Sequence, residues 1–71
     1  MERQNVDSSM IRSIGYDFDN QILEIEFKSD GSVWQYYDFP EHLWYEFESS
    51  DSKGKFFHRE IKDQYSESRV G

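Results

Sequence analysis

Residues 22–27 read ILEIEF, and this short stretch constrains the fold more than any other. Leu23, Ile25 and Phe27 alternate with Glu24 and Glu26. A period of two places the first three on one face of a strand and the two glutamates on the other. One face is then expected to be buried and the other wet, as in an antiparallel sheet with a single covered side. Asp30-Gly31 follows, and this dipeptide supplies the positive backbone angles of a tight hairpin turn. The next apolar stretch, VWQYYD, reads as the returning strand, with Trp34 and Tyr36 together and Val33, Gln35 and Tyr37 opposite. Upstream, SSMIRSIGYD (residues 8–17) also alternates and predicts a strand with Met10, Arg12, Ile14 and Tyr16 on one side. Asp19-Asn20 provides its turn.

Pro40 then stops the sheet, since proline lacks a ladder donor but suits a helix start. Leu43, Trp44 and Phe47 recur at helical spacing, which predicts a helix over about 40–49. Ser52 is a suitable cap for a second helix, expected over 53–65. There Phe57, Ile61 and Tyr65 form an apolar stripe, with Lys55, Arg59 and Lys62 on roughly the opposite side. Strands followed by helices imply an α+β fold. The expected architecture is a three-stranded antiparallel meander with two helices packed on one face, and Glu24 and Glu26 on the open face. Residues 1–7 and 66–71 are expected to be flexible tails around a domain at 8–65. The expected core holds Leu23, Ile25, Phe27, Phe47, Phe57 and Ile61.

A chain of 71 residues must compensate for its small core. It has no cysteine, so disulfides and cysteine-rich zinc sites are excluded. Its resource is 13 aromatic side chains, 18% of the residues. No apolar run approaches the roughly 20 residues of a membrane span. The segment MERQNVDSS lacks the basic-then-apolar order of a signal peptide, so a cytoplasmic protein is expected.

The formal net charge is -7, unevenly placed. Residues 1–51 hold three basic and twelve acidic side chains, a balance of -9, whereas residues 52–71 hold five and three, a balance of +2. The basic excess centres on SKGKFFHREIKDQY (52–65) and nominates Ser52, Lys53, Gly54, Lys55, Arg59 and Lys62 as an anion or nucleic-acid site. Against this stands a plain reading. Ser52 caps a helix, Gly54 packs tightly between helices, and the basic stripe is a solvated face offset by Glu60 and Asp63. Trp34, Tyr36 and Tyr37 form an aromatic motif, either a base-stacking platform or part of the core. His42 and His58 lack metal-ligand spacing, and no nucleophile elbow is present, so neither a metal, a cofactor nor catalysis is expected.

The segments SSMIRSIGYD, WQY, FP and SKGKFFHREIKDQY stand in the order and spacing of the KTSC domain, and the chain resembles that family from about Ser8 to Tyr65. The piece S-x-G-x-F-F-x-x-x-I is the most specific. The domain is named for its place at the C-terminus of some lysyl-tRNA synthetases and also occurs as a stand-alone bacterial protein. Trp34 replaces the first tyrosine of the family's central Y-x-Y motif, Phe39 replaces a common valine, and His58 stands where asparagine is common. Trp34, Tyr36, Lys53, Gly54, Lys55 and Phe56 match as motif residues, and no catalytic residues carry over. The resemblance implies an uncharacterised module with RNA (tRNA or single-stranded) as the partner suggested by its attachment to a synthetase. A protein-interaction module without nucleic-acid binding is the alternative.

Overall fold

The computed structural model describes residues 1–71. Its order is β1 (Gln4–Asn5), β2 (Ile11–Asp17), β3 (Ile22–Phe27), β4 (Val33–Tyr36), α1 (Glu41–Ser49), α2 (Lys53–Phe56), a π turn (Phe57–Ile61) and β5 (Glu67–Arg69). The class is α+β, as the order of sequence patterns implied. The sheet, however, has five antiparallel strands in the order β1-β2-β3-β4-β5, not three. Both additional strands come from the segments expected to be flexible tails. Gln4 and Asn5 pair with Ile14 and Ser13, and Glu67–Arg69 pair with Tyr36, Gln35 and Trp34. Strands of two and three residues are too short to carry a periodic signal, and only their partners make them strands.

The inner face of the sheet carries the core. Ile14 and Tyr16 of β2 lie opposite Ile25 and Leu23 of β3, with Tyr36 and Trp34 beyond them on β4. Ile11, expected on the other face, joins them. A bulge between Ile11 and Ser13 places Ile11 opposite Phe27 and leaves Arg12 as the extra, exposed residue. The core is completed by Phe39, Trp44, Phe47, Phe56, Phe57 and Ile61. It is mostly aromatic. Trp44 stacks on Tyr16 at 5.5 Å, Phe47 on Phe56 at 5.2 Å, and Phe57 meets the rings of Phe27 and Tyr36 edge-on at 5.3 and 5.8 Å. The Tyr16 hydroxyl donates to the Phe39 carbonyl, so a phenol enters the core with its polar end satisfied. Five of the six expected core residues are buried, and Phe27 is partly covered at the rim.

The outer face is not open. Arg3 lies across it, donating to Ser13 Oγ at 3.0 Å and to the Glu24 carboxylate. Ser13 donates to Glu26 at 2.9 Å, and Gln35 Nε2 donates to Glu24 at 2.8 Å. The Tyr37 hydroxyl donates to Gln35 at 3.1 Å. Glu24 is consequently 6% exposed, contrary to the wet position its alternation predicted. Gly15 makes this possible, because a Cβ there would sit 2.3 Å from the Glu2 carbonyl oxygen. The N-terminal segment can cross β2 only over a glycine.

Pro40 is the cap of α1, with φ -70 and ψ 145, and Glu41 complements the first turn. The second helix is shorter than 53–65. It runs as α-helix to Phe56 and closes with a π turn, in which Lys62 N–H donates to the Phe57 carbonyl at 2.8 Å. The wider turn lets Phe56 and Phe57, adjacent in sequence, both reach the core with Ile61. Tyr65 lies past the helix, where its ring meets Phe39 edge-on at 5.0 Å.

Candidate anion-binding groove

The start of β2 and the start of α2 face each other across a shallow groove of about 650 Å³, lined by Ser9, Met10, Ser52, Gly54, Lys55, His58 and Arg59. Local chemistry fixes both walls. Ser8 Oγ accepts from the amides of Met10 and Ile11 at 3.2 Å, holding the chain as it enters β2. Ser52 Oγ accepts from the Lys55 amide at 3.2 Å, the capping bond that Ser52 was expected to make. This leaves the Ser52 hydroxyl proton free to donate. Four of the six residues nominated from sequence (Ser52, Gly54, Lys55 and Arg59) thus line one surface.

The other two are placed differently. Lys53 donates from Nζ to the Ser50 carbonyl at 2.6 Å, just past the C-terminal end of α1, a helix whose last turn has no basic residue. Lys62 follows the end of the π turn, with ψ 128, so the stripe Lys55-Arg59-Lys62 does not continue along a helix. Gly54 is not wedged between helices. Its nearest neighbour is Met10, and an added Cβ would make ordinary contact at 3.8 Å. Arg59 lies over the Phe56 ring at 5.5 Å and donates from Nε to Glu60 at 2.9 Å. Its charge is partly offset, while Lys55 makes no ion pair within 4 Å.

The lining gathers two cations, two serine hydroxyls and an imidazole, with Met10 as its one apolar side chain. Such a set is chemically able to offer hydrogen bonds and positive charge to an anion. No group of three or more His, Cys, Asp or Glu side chains could hold a metal ion. No helix is long and apolar enough to cross a membrane.

The aromatic motif lies elsewhere. Tyr36 is 2% exposed in the core, and burial, helped by the Glu67 carboxylate, pushes its phenol well above the usual tyrosine range. Trp34 packs on the edge of the core and donates from its indole to Ser32 at 3.2 Å. Tyr37 is half-buried on the outer face, tied to Gln35. Ser9, Met10 and His58 were not singled out from sequence as groove residues. Ser9 and Met10 fell within the first strand pattern, and nothing local tied that strand to the second helix.

The model of the KTSC domain matches residues 7–65. The chain belongs to the KTSC domain family. A crystal structure of a KTSC domain protein from Yersinia pestis superposes with a TM-score of 0.94 at 46% identity, covering 99% of this chain and 97% of that one. An uncharacterised protein of Stutzerimonas stutzeri is 38% identical over 65 residues, spanning 92% of this chain and 90% of its relative. A lysine–tRNA ligase of Nostoc is 36% identical over 59 residues, which is 83% of this chain but only 10% of the ligase. Sequences similar to this chain therefore occur both near this length and as a small part of a much larger protein.

Proposed function

We propose that this KTSC domain is a binding module rather than an enzyme, one that contacts the phosphates of RNA as an accessory element in the cytoplasm. The observation that carries the reading is the groove itself. It gathers Ser52, Gly54, Lys55 and Arg59 with His58 and Ser9, in the part of an acidic chain that holds its basic excess. Lys55 supplies the unpaired charge, Arg59 a guanidinium fork, and the serines supply hydroxyl donors to phosphate oxygens. Lys62 extends the contact beyond the groove. The likeness to a segment of a lysine–tRNA ligase supports tRNA as the first RNA to test. The net charge of -7 opposes close approach elsewhere on the surface, so binding is expected to be modest and confined to this side.

The test is a titration of the intact chain with tRNA and with single-stranded RNA across a range of salt. Lys55→Ala with Arg59→Ala is expected to remove about two phosphate contacts and flatten the logarithmic salt slope by about 1.4 on single strands. Absence of binding at about 50 mM salt, or a slope unchanged by the double substitution, overturns the reading. The alternative, a protein-interaction module, draws support from a different surface.

A further inference from the structure

A second surface lies at the opposite end of the charge distribution. Phe18 and Tyr45 are exposed by 48% and 51%, and their rings are 6.1 Å apart. Phe18 is held in place rather than loosely displayed. Phe18 meets Tyr16 edge-on at 4.9 Å, and Tyr16 in turn stacks on the core residue Trp44. The turn that carries Phe18 is fixed by Asp17, whose carboxylate accepts from the Asp19 and Asn20 amides at 3.0 and 3.2 Å and from Asn20 Nδ2 at 2.9 Å. Tyr45 sits on α1 between Glu41, four residues before it, and Glu48, three after, and this spacing puts all three on one helix face.

The surroundings are mainly acidic, although His42 lies on the same helix and Arg3 lines a hollow with Tyr16 and Trp44. Asp19 adjoins Phe18 and is exposed. Glu41 lies close enough to Tyr16 that, after burial, its carboxylate is the next cause raising the Tyr16 phenol. Between Arg12 and Lys53 the only Lys or Arg is Lys28, in the β3–β4 turn next to Met10. An exposed ring pair set among carboxylates repels phosphate and attracts a cation twice over, through the ring faces and through the acids.

We propose that Phe18 and Tyr45, with Asp19, Glu41 and Glu48, form a docking surface for a basic segment of a partner protein, one presenting Arg or Lys beside apolar side chains. The aliphatic stems and apolar residues of the partner cover the two rings, and its guanidinium or ammonium groups reach the carboxylates. Because Phe18 is already held by Tyr16 and by the Asp17 turn, and Tyr45 is carried on a helix, little backbone ordering is required on this side of the contact. The surface shares no residue with the anion groove.

The experiment uses the intact chain and a labelled peptide alternating Arg and Leu. The same peptide with Glu in place of Arg and a single-stranded RNA serve as comparisons. Binding is followed by anisotropy and mapped by backbone NMR shifts. The Arg/Leu peptide is expected to bind saturably, to weaken with salt, and to shift Phe18, Glu41 and Tyr45. Tyr45→Gln, on the exposed face of α1, is expected to weaken it by about tenfold, as is the charge reversal Glu41→Lys. Lys55→Ala with Arg59→Ala is expected to leave peptide binding unchanged, which separates this site from the groove. Failure to saturate by about 1 mM peptide overturns the proposal. So does equal binding of the Glu peptide, insensitivity to both Tyr45→Gln and Glu41→Lys, or displacement of the same resonances by RNA.

Discussion

Arg3→Ala is the most informative single change in this chain. Arg3 lies in a segment whose sequence has no strand signal, yet it touches Ser13, Glu24 and Glu26. Removing it strands the Glu24 carboxylate, whose side chain is 8% exposed, with Gln35 as its remaining hydrogen-bond donor. Losing a hydrogen bond to a charged group costs about 1.5–3 kcal/mol, and breaking a fully buried pair about 3–5 kcal/mol. The Arg3 side chain is 27% exposed, so water reaches the site after truncation and the lower range applies. A loss of about 2 kcal/mol is expected, or about 8–16 °C in melting temperature for a domain of this size. Urea denaturation followed by tryptophan fluorescence measures it. The decisive control is Glu24→Gln in the Arg3→Ala background, which removes the stranded charge and should recover part of the loss. Arg3→Lys keeps the charge without the fork and should fall between. A cost for Arg3→Ala below about 0.5 kcal/mol, the range of an ordinary surface substitution, would show that residues 1–7 do not hold the sheet.

Three further outcomes follow from the same structure. Gly15→Ala forces the Glu2 carbonyl away from β2, so its cost and that of Arg3→Ala should be far from additive; additivity within about 0.5 kcal/mol would refute the shared cause. Ile25→Ala empties a fully buried position between Ile14 and Trp34 and should cost about 2–5 kcal/mol, and an unchanged melting temperature would contradict the register. The phenol of Tyr36 is raised in the folded state, chiefly by burial, and those of Tyr16 and Tyr65 are raised in the same direction. Stability from these groups is therefore full below the unfolded value near pH 10 and falls as pH rises from there toward the folded values. Tyr36→Phe should flatten that alkaline limb, as read by denaturation against pH.

How much of this was legible depended on the length of each element. The six residues of β3 alternate cleanly, so its inner face was readable, as was the helix after Pro40; the turn was located, but only Gly31 takes a positive φ, in a longer connection over residues 28–32. The wet face was misread because alternation reports which side chains diverge, not whether a distant arginine covers one set. The bulge at Arg12 was invisible for a related reason: it shifts Ile11 to the core without altering composition. In the second helix, a fixed period of 3.6 placed Phe57, Ile61 and Tyr65 in a stripe and missed Phe56, because a π turn breaks the period within one turn. The groove was half legible. Its α2 wall is a contiguous motif, whereas Ser9 and Met10 are brought to it only by tertiary packing.

The two short outermost strands also guard the chain against itself. Without β1 and β5, β2 and β4 would be the kind of strand-forming edges that template fibre growth when bare. Here one margin is capped by two residues anchored through Arg3, and the other by three exposed residues that include Glu67 and Arg69. A neighbouring molecule meets only truncated, polar margins with too few free amides to extend the ladder. Loosening Arg3 therefore does more than lower stability: it uncovers a seven-residue edge, and the soluble lifetime of the protein then depends on how often that margin opens.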